Sequence, residues 1–520
     1  MPRRLIVLGL GALVAVSLAC GDKEHGSVVK RPRESVGRVV VVGFDGLSPV
    51  MVEKWVNEGK LPNMARVMRE GCFGECMTVL PPSSASAWTS AVTGVNCGKH
   101  GIYGFLKELQ EGAKRPAVFN TSRDRGFSAV WDVLSEYGRR ACIVNIPLSS
   151  PADSLNGFMI AGFPHTSEDQ IAHYWPPELE DYLGSYRYDA FRVTCAKGEE
   201  EKFLRSMEDI SARRLDVGLT LLDEGGWDLF WIVFTFTDRT QHYMWKYMDE
   251  KHPLYDPAMS EAYGDRVEWA YKRADTFLGE FMKRIEGDDL LIVMSDHGFG
   301  PLYKIINTRN FLQRTLGNTE DVLCADFFGS KFKIDVSGRN AEEKFNSIRN
   351  RLIQGLSDLE DPENGEKIID SIYVKEDIYE GPYVGKGPDV LCLEKPGYLF
   401  FSLQVTPDLR LFDRGPSPDR AFSGFHRRMG TILMYGNAVA PGGRVGARII
   451  DITPTILTYL GVPVPAEMDG TVPRAAFKDG YADRVILVKS EESGYKKPTG
   501  LGSQDWKKIE NQLRAVGYIQ

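Results

Sequence analysis

The chain has 520 residues, 43% of them hydrophobic, and 63 basic against 71 acidic residues leave it at a net charge of −8. That length can bury a large core and exceeds the usual single domain. The slight acidic excess disfavours a general nucleic-acid binder, which carries a basic excess or stripe.

At the N-terminus Arg3 and Arg4 precede an apolar run over 5–19 that ends beside Cys20. The run is short for a membrane span and fits a signal-peptide core. "SLAC", with small Ala19 before the cysteine, resembles a bacterial lipoprotein cleavage site, although Ser17 stands where leucine is commonest. The alternative is an ordinary signal peptide cut nearby. Either reading exports the protein, and the first leaves it membrane-anchored through a lipid on Cys20. The polar stretch 20–36 reads as a flexible tether.

An α/β rhythm follows. The run over 38–44 is continuous and β-branched, as a strand buried on both faces should be. Similar runs recur at 141–147, 227–236, 289–295 and 430–436. Helical patterns lie between them at "PNMARVMRE" and "RVEWAYKRADTFLGEFMKRI". "DITPTILTYLG" reads as a helix with Asp451 as cap, Pro454 in the first turn and Gly461 as stop. Such alternation predicts an α/β fold with a mainly parallel central sheet and helices on both faces. Ligands of such a sheet gather outside the carboxyl ends of its strands.

Those ends carry acids and imidazoles. Asp45 follows the first run, Asp238 and His242 the third, and Asp296 and His297 the fourth, while His426 stands just ahead of the last. Singly each is weak: an Asp there is usually a turn former or cap, and "DHG" at 296–298 reads equally well as a turn. Together they supply ligands for two metal ions with open positions. Mixed carboxylate and imidazole sets suit zinc, with manganese as the alternative, better than magnesium.

Seven further cysteines, Cys72, Cys76, Cys97, Cys142, Cys195, Cys324 and Cys392, are too scattered for a disulfide scaffold. Cys72 and Cys76 either bridge or pack in a core.

"VGFDG", "PPSSASAWTSAVTGVNCGKHGI", "TDRTQHYMW", "SDHGFG" and "GFHRRMG", in that order, resemble the alkaline phosphatase superfamily. The similarity is to its type I phosphodiesterase and nucleotide pyrophosphatase branch, and "DITPTILTYLGVPVPAEMDG" and "RAVGYI" resemble later parts of that group. The resemblance implies one metal on Asp238, His242 and His426, and another on Asp45, Asp296 and His297. A nucleophile oxygen would bridge them. Counting back from Thr93–Gly94 places that nucleophile at Ser84, with Ser83 and Ser86 as competitors. A helix starting just after Ser84 would favour an anionic phosphoryl group. Trp88 and Arg427 are candidate substrate contacts; for Arg427 the alternative is a solvated basic pair with Arg428. Lys99 and His100 match the family segment, and His100 fits a structural role better than a catalytic one. Where eukaryotic nucleotide pyrophosphatases have asparagine, three places after the nucleophile, this chain has Ala87.

The expected organisation is a signal peptide over 1–19, a tether over 20–36 and a catalytic core over 37–300, with a wall insertion at about 150–225. A cap-like insertion would occupy 301–420, and the core would resume over 421–520 with a C-terminal helix. The aromatics of 163–191 either cover the substrate or close a secondary core, and neither His165 nor His173 is expected on a metal. The resemblance implies a phosphodiesterase or pyrophosphatase acting on a small phosphate ester through a phosphoseryl intermediate. Alternatives are a phosphomonoesterase, a phosphoryl transferase or mutase on the same scaffold, and an anchored binding protein without activity. No sequence-specific nucleic-acid binding is expected.

Overall fold

The chain is described from a computed structural model, over residues 37–107, 119–164, 173–184, 186, 194–323, 330–402, 408, 410–413 and 422–480, and the backbone of 487–488. Cys20, the signal peptide, the tether, Cys324, His165 and the terminal "RAVGYI" lie outside these residues. The described part falls within one unit, Ser35–Gln520.

Strands β1 (Val39–Phe44), β2 (Cys72–Met77), β3 (Ala141–Val144), β4 (Gly157–Ile160), β5 (Tyr174–Trp175), β6 (Leu229–Phe234) and β7 (Leu290–Met294) come first in the chain. β8 (Gly298–Asn307), β9 (Val322–Leu323), β10 (Lys331–Ile334), β11 (Ile369–Val374), β12 (Val390–Glu394), β13 (Gly397–Phe401) and β14 (Phe412–Asp413) follow. β15 (Gly424–Arg427), β16 (Met429–Tyr435) and β17 (Gly443–Arg448) complete the set used below.

The central sheet has nine strands in the order β17-β2-β16-β7-β1-β6-β3-β4-β5. β1 lies at its middle, parallel to both β6 and β7. Its valines alternate between the two faces: Val39 and Val41 enter one core, and Val40, Val42 and Phe44 the other. Helices on both faces cover these cores, so a continuous apolar run is the stable pattern for this strand. The run at 430–436 forms β16, which is antiparallel to both neighbours, β2 and β7. β2 and β17 were not expected from the sequence, because "CFGECM" and "GRVGAR" lack a strand-like apolar pattern.

The predicted helices form at Pro62–Glu70 and Arg266–Met282. The third forms at Ile452–Tyr459, with Gly461 beyond its end at a φ of +66°; Asp451 stands at its N-cap position, but its carboxylate accepts from Arg448 and Thr471 N–H and makes no capping bond. Cys72 and Cys76 sit four residues apart on β2, about 13 Å at ~3.3 Å per residue, too far to bridge. Both are free and buried, as are Cys97, Cys142, Cys195 and Cys392.

After β7 the chain leaves the sheet along β8 and builds a second layer. There β11, β12, β10 and β9 form a four-stranded sheet. Phe311, Phe332, Leu352, Leu356, Val390 and Phe400 make its separate apolar core, with Leu352 and Leu356 on the helix Ala341–Asp358. The chain returns through β15, which pairs antiparallel with β8. Among the described residues no helix is long and apolar enough to cross a membrane.

Candidate active site

Register places the site. Phe44 lies opposite Phe234, and Gly43 opposite Met294, so the chain leaves β1, β6 and β7 at one level. Asp45 follows β1 directly, Asp238 and His242 face inward from the helix Phe236–Met248, and Asp296 and His297 fill the turn from β7 to β8. His426 arrives from far along the chain because β15 pairs it with Phe299, two residues beyond His297. The backbone at this end is tied down: Thr237 Oγ1 donates to the Asp45 carbonyl at 2.5 Å and Gln241 Nε2 to the Gly46 carbonyl at 2.8 Å. Gly46 has a φ of +72°, and a Cβ there would lie 3.2 Å from the Asp238 Cα. Only glycine turns the chain this close to the second carboxylate.

Two triads result. Asp238 Oδ1 is 3.2 Å from both His242 Nε2 and His426 Nε2, which are themselves 3.1 Å apart. His297 Nε2 is 3.4 Å from Asp45 Oδ1 and 3.2 Å from Asp296 Oδ2. They overlap, since His297 also lies within 4.8 Å of Asp238 and His426.

Hydrogen bonding fixes what these atoms can do. His242 Nδ1 faces the Gly424 carbonyl at 2.9 Å, His297 Nδ1 the Gly298 carbonyl and His426 Nδ1 the Pro82 carbonyl, both at 3.1 Å. A carbonyl only accepts, so each Nδ1 carries the proton and each Nε2 presents a lone pair inward. Three carboxylate oxygens, Asp45 Oδ1, Asp238 Oδ1 and Asp296 Oδ2, are buried with no hydrogen-bond donor. Lone pairs facing one another at these distances repel unless a cation lies between them. The sides of the Asp238 triangle match the edge, about 3.3 Å, of a tetrahedron around an ion with bonds of about 2.0–2.1 Å. The residues present fit a divalent ion in each triad.

The electrostatics agree. Burial, with Asp296 and Asp238 adding repulsion, holds the Asp45 carboxyl well above its usual range. Burial also pushes Asp296 up to about 7, opposed by His426 and reinforced by Asp238. Burial keeps His242 and His297 low, hence neutral and able to coordinate.

Ser84 is the first residue of the helix Ser84–Thr93 and only 8% exposed. Its Oγ–H donates to His297 Nε2 at 3.2 Å. The first N–H groups of that helix have no intrahelical acceptor and open beside Oγ. Ser86 is no competitor, because its hydroxyl donates to the Pro81 carbonyl at 2.7 Å. Ser83 stands at the N-cap without a side-chain capping bond. The hydroxyls of Thr89 and Thr93 donate back to the carbonyls of Ala85 and Thr89, which is how so polar a helix lies buried along its length.

Two expected substrate contacts are placed differently. Trp88 is fully buried and does not line the cavity. Its Nε1–H donates to Asp45 Oδ2 at 3.2 Å, and its ring covers Gly43, where a Cβ would lie 2.5 Å from Cη2. It orients a carboxylate and cannot reach a substrate. Arg427 does border the cavity, but its guanidinium donates to the carbonyls of Pro301 at 2.6 Å and His426 at 3.0 Å. It is therefore not half of a solvated pair; burial lowers its pKa to about 10, with Glu394 and Tyr303 opposing.

His100 is a structural residue. Ile102 N–H donates to its Nδ1 and its Nε2–H reaches Ser90 Oγ at 2.8 Å. Lys99 is tied to Asp469 and the Glu467 carbonyl.

A cavity of about 500 Å³ opens over Ser84, Asp45, Asp238, His242 and His426. Phe105, Phe163, Tyr243 and Phe422 wall it on the core side, and Leu391, Leu393 and Tyr398 close it from the second layer. The aromatics of 163–191 divide between the two readings. Phe163 lines the cavity, edge-on to Phe105 at 5.0 Å, whereas Tyr174, Tyr182 and Tyr186 pack into the sheet core. Arg428 and Lys331 also border the cavity. Nothing in the sequence marked Lys331, because its place depends on how β10 folds back.

Three-dimensional neighbours share this architecture. Phosphonoacetate hydrolase from Sinorhizobium meliloti, in complex with phosphonoformate, superimposes with a TM-score of 0.57 at 16% identity, covering 82% of this chain and 96% of its own. Human ectonucleotide pyrophosphatase/phosphodiesterase 5 gives 0.52 at 14% identity, covering 84% and 97% respectively. The murine protein gives 0.51 at 15%, covering 83% and 97%. At such identities the likeness establishes the fold. No curated protein matches by sequence. The family model for type I phosphodiesterase/nucleotide pyrophosphatase matches residues 39–410, which hold every residue of the two triads except His426, and the chain belongs to this family of phosphoester hydrolases.

Proposed function

We propose that this chain is an exported, metal-dependent phosphodiesterase that passes its substrate's phosphoryl group through Ser84. One observation carries the reading: three donorless carboxylate oxygens and three Nε2 lone pairs converge beside the Ser84 hydroxyl. Asp238, His242 and His426 would hold one divalent ion and Asp45, Asp296 and His297 the other, with zinc preferred over manganese for this donor set. Bound there, the pair would neutralise charge on the phosphoryl oxygens and lower the pKa of a hydroxyl or water.

The chain's own groups do the rest. Ser84 Oγ forms its bond to phosphorus as the bond to the leaving oxygen breaks. Water then cleaves the phosphoseryl ester and Oγ departs, so two displacements give net retention at phosphorus. The helix beginning at Ser84 directs N–H groups at the phosphoryl oxygens. Trp88 holds Asp45 in place through Nε1–H. The apolar walls of the cavity would take the organic arms of a diester and exclude bulk water. An inactive form of the murine relative is seen in complex with AMP, which accords with a small phosphate ester as substrate.

The test is hydrolysis of aryl phosphomonoesters and phosphodiesters by zinc-loaded protein. Diesters should win in kcat/KM; a monoester preference beyond about tenfold, ~1.4 kcal/mol, would overturn the diester assignment. Export rests on the sequence alone. Cys20→Ser should release the protein into the soluble fraction, and a wild-type protein already soluble and unlipidated would contradict the anchor.

A further inference from the structure

Buried Arg125 pairs with Asp153 and Asp132, part-buried Arg38 and Arg139 with Asp289 and Asp228, and buried Arg214 bonds the Tyr186 hydroxyl and the Val233 carbonyl. Arg428 has no comparable set of acceptors. It is mostly buried and borders the same cavity as Ser84, yet its Nε is buried without an acceptor and Nη1 has only the Tyr373 hydroxyl at 3.5 Å. Among the described residues it forms no ion pair. A guanidinium bordering a cavity with no anion of its own is open to one carried by a ligand.

The position of Arg428 is fixed. Its carbonyl accepts from Thr78 N–H at 3.1 Å, and it sits between β15 and β16. It stands two residues after His426, at the bend where the chain passes from β15 into β16, and both residues border the cavity. One reaches the triad and the other reaches the seam with β11, where Tyr373 lies.

The acids on the cavity wall do not answer it. Glu394 Oε1 accepts from Ser330 Oγ and Phe400 N–H, and Asp370 accepts from Ser371 Oγ. Arg427, its neighbour, has its terminal nitrogens on backbone carbonyls. That leaves the Arg428 guanidinium bordering the same cavity as Ser84 with no anion among the described residues. A planar fork of this kind pairs with a carboxylate or a phosphate.

We propose that Arg428 is a specificity residue that binds a second anionic group, carboxylate or phosphate, on an arm of the substrate beyond the phosphorus attacked by Ser84. The inference rests on the Ser84 reading above and narrows its substrate class to phosphate esters or anhydrides with a further negative charge. The apolar wall holds the carbon skeleton between the two charges.

The test is a ladder of short alkyl phosphates ending in methyl, carboxylate or phosphate, used as competitive inhibitors of aryl diester hydrolysis by the zinc-loaded protein. In the wild type, one or both charged ends should lower Ki about 10- to 100-fold relative to methyl, and the stronger arm identifies the group. Arg428→Gln should shrink that preference to within about threefold, and Arg428→Lys should restore part of it. A ladder with uniform Ki in a wild type that still hydrolyses diesters would overturn the subsite alone. So would an undiminished preference in Arg428→Gln. Should that variant fail to fold, the wild-type ladder and the reduced preference in Arg428→Lys decide the matter. Failure of every alkyl phosphate to inhibit, or activity surviving in Ser84→Ala, would overturn the reading beneath it.

Discussion

The floor of the cavity and the packed shell around it both bury histidine, with opposite hydrogen bonding. In the shell, His100 accepts from Ile102 N–H and donates to Ser90, and His252 accepts from Leu254 N–H and donates to the Leu302 carbonyl. Both nitrogens of each ring are satisfied by protein. On the floor, His242, His297 and His426 give Nδ1 to protein carbonyls and turn Nε2 toward carboxylate oxygens that lack donors, with the Ser84 hydroxyl as the one protein donor, to His297. Burial is common to both regions. The nitrogen left over separates a packing histidine from a ligand.

The largest expected effect breaks the floor. Asp238→Ala leaves His242 and His426 without their shared carboxylate, and Asp296→Ala removes one of the two carboxylates that face His297. Each variant should retain about one ion where the wild type holds two, and lose at least about 10³-fold in turnover, ~4 kcal/mol. Elemental analysis and diester kinetics check both.

A smaller effect should come from one residue back. Trp88→Phe keeps a buried ring over Gly43 but removes the donor to Asp45 Oδ2. The ion on Asp45, Asp296 and His297 should weaken about 10- to 100-fold, while the site on Asp238 changes less than about twofold. Equal weakening of both sites in zinc competition titrations would show that the two triads do not divide as described.

The shell gives the smallest effect and a control. Burial, with Arg125 nearby, lowers His100 to about 3 from the ordinary 6.5. Because the folded value lies below the unfolded one, the unfolded chain takes the proton first. The contribution is complete above pH 6.5 and declines as pH falls toward 3. At pH 5 the loss is about 2 kcal/mol, and His100→Gln should be free of it. Denaturant midpoints at pH 7 and pH 5 for the two proteins measure this difference, which should be independent of zinc.

Much of the floor was legible in the sequence because the strands that carry it are buried on both faces. Their β-branched runs ended where Asp45, Asp238 and Asp296 began, and register did the rest. What escaped depended on long-range pairing. β2 and β17 are Gly-rich or polar and hold their places through partners. β16 reads like the other buried strands but runs antiparallel, since one apolar run serves either direction. Trp88 looked available to substrate because sequence spacing does not show which side of a helix faces β1. The difference between Arg427 and Arg428 was invisible for the same reason: both border the cavity, but Arg427 ends β15 with its terminal nitrogens on backbone carbonyls, while Arg428 lies at the bend before β16 without such partners.

The central claim is that Ser84 is the nucleophile over two ions that it does not itself retain. Metal content and diester turnover measured together on the wild type and Ser84→Ala test it most directly. Ser84→Ala should keep about two zinc ions per chain, because all six Asp and His ligands are untouched, and lose turnover by at least about 10³-fold. A Ser84→Ala protein that hydrolyses diesters at the wild-type rate, or a wild type that binds no zinc at saturation, would contradict the account.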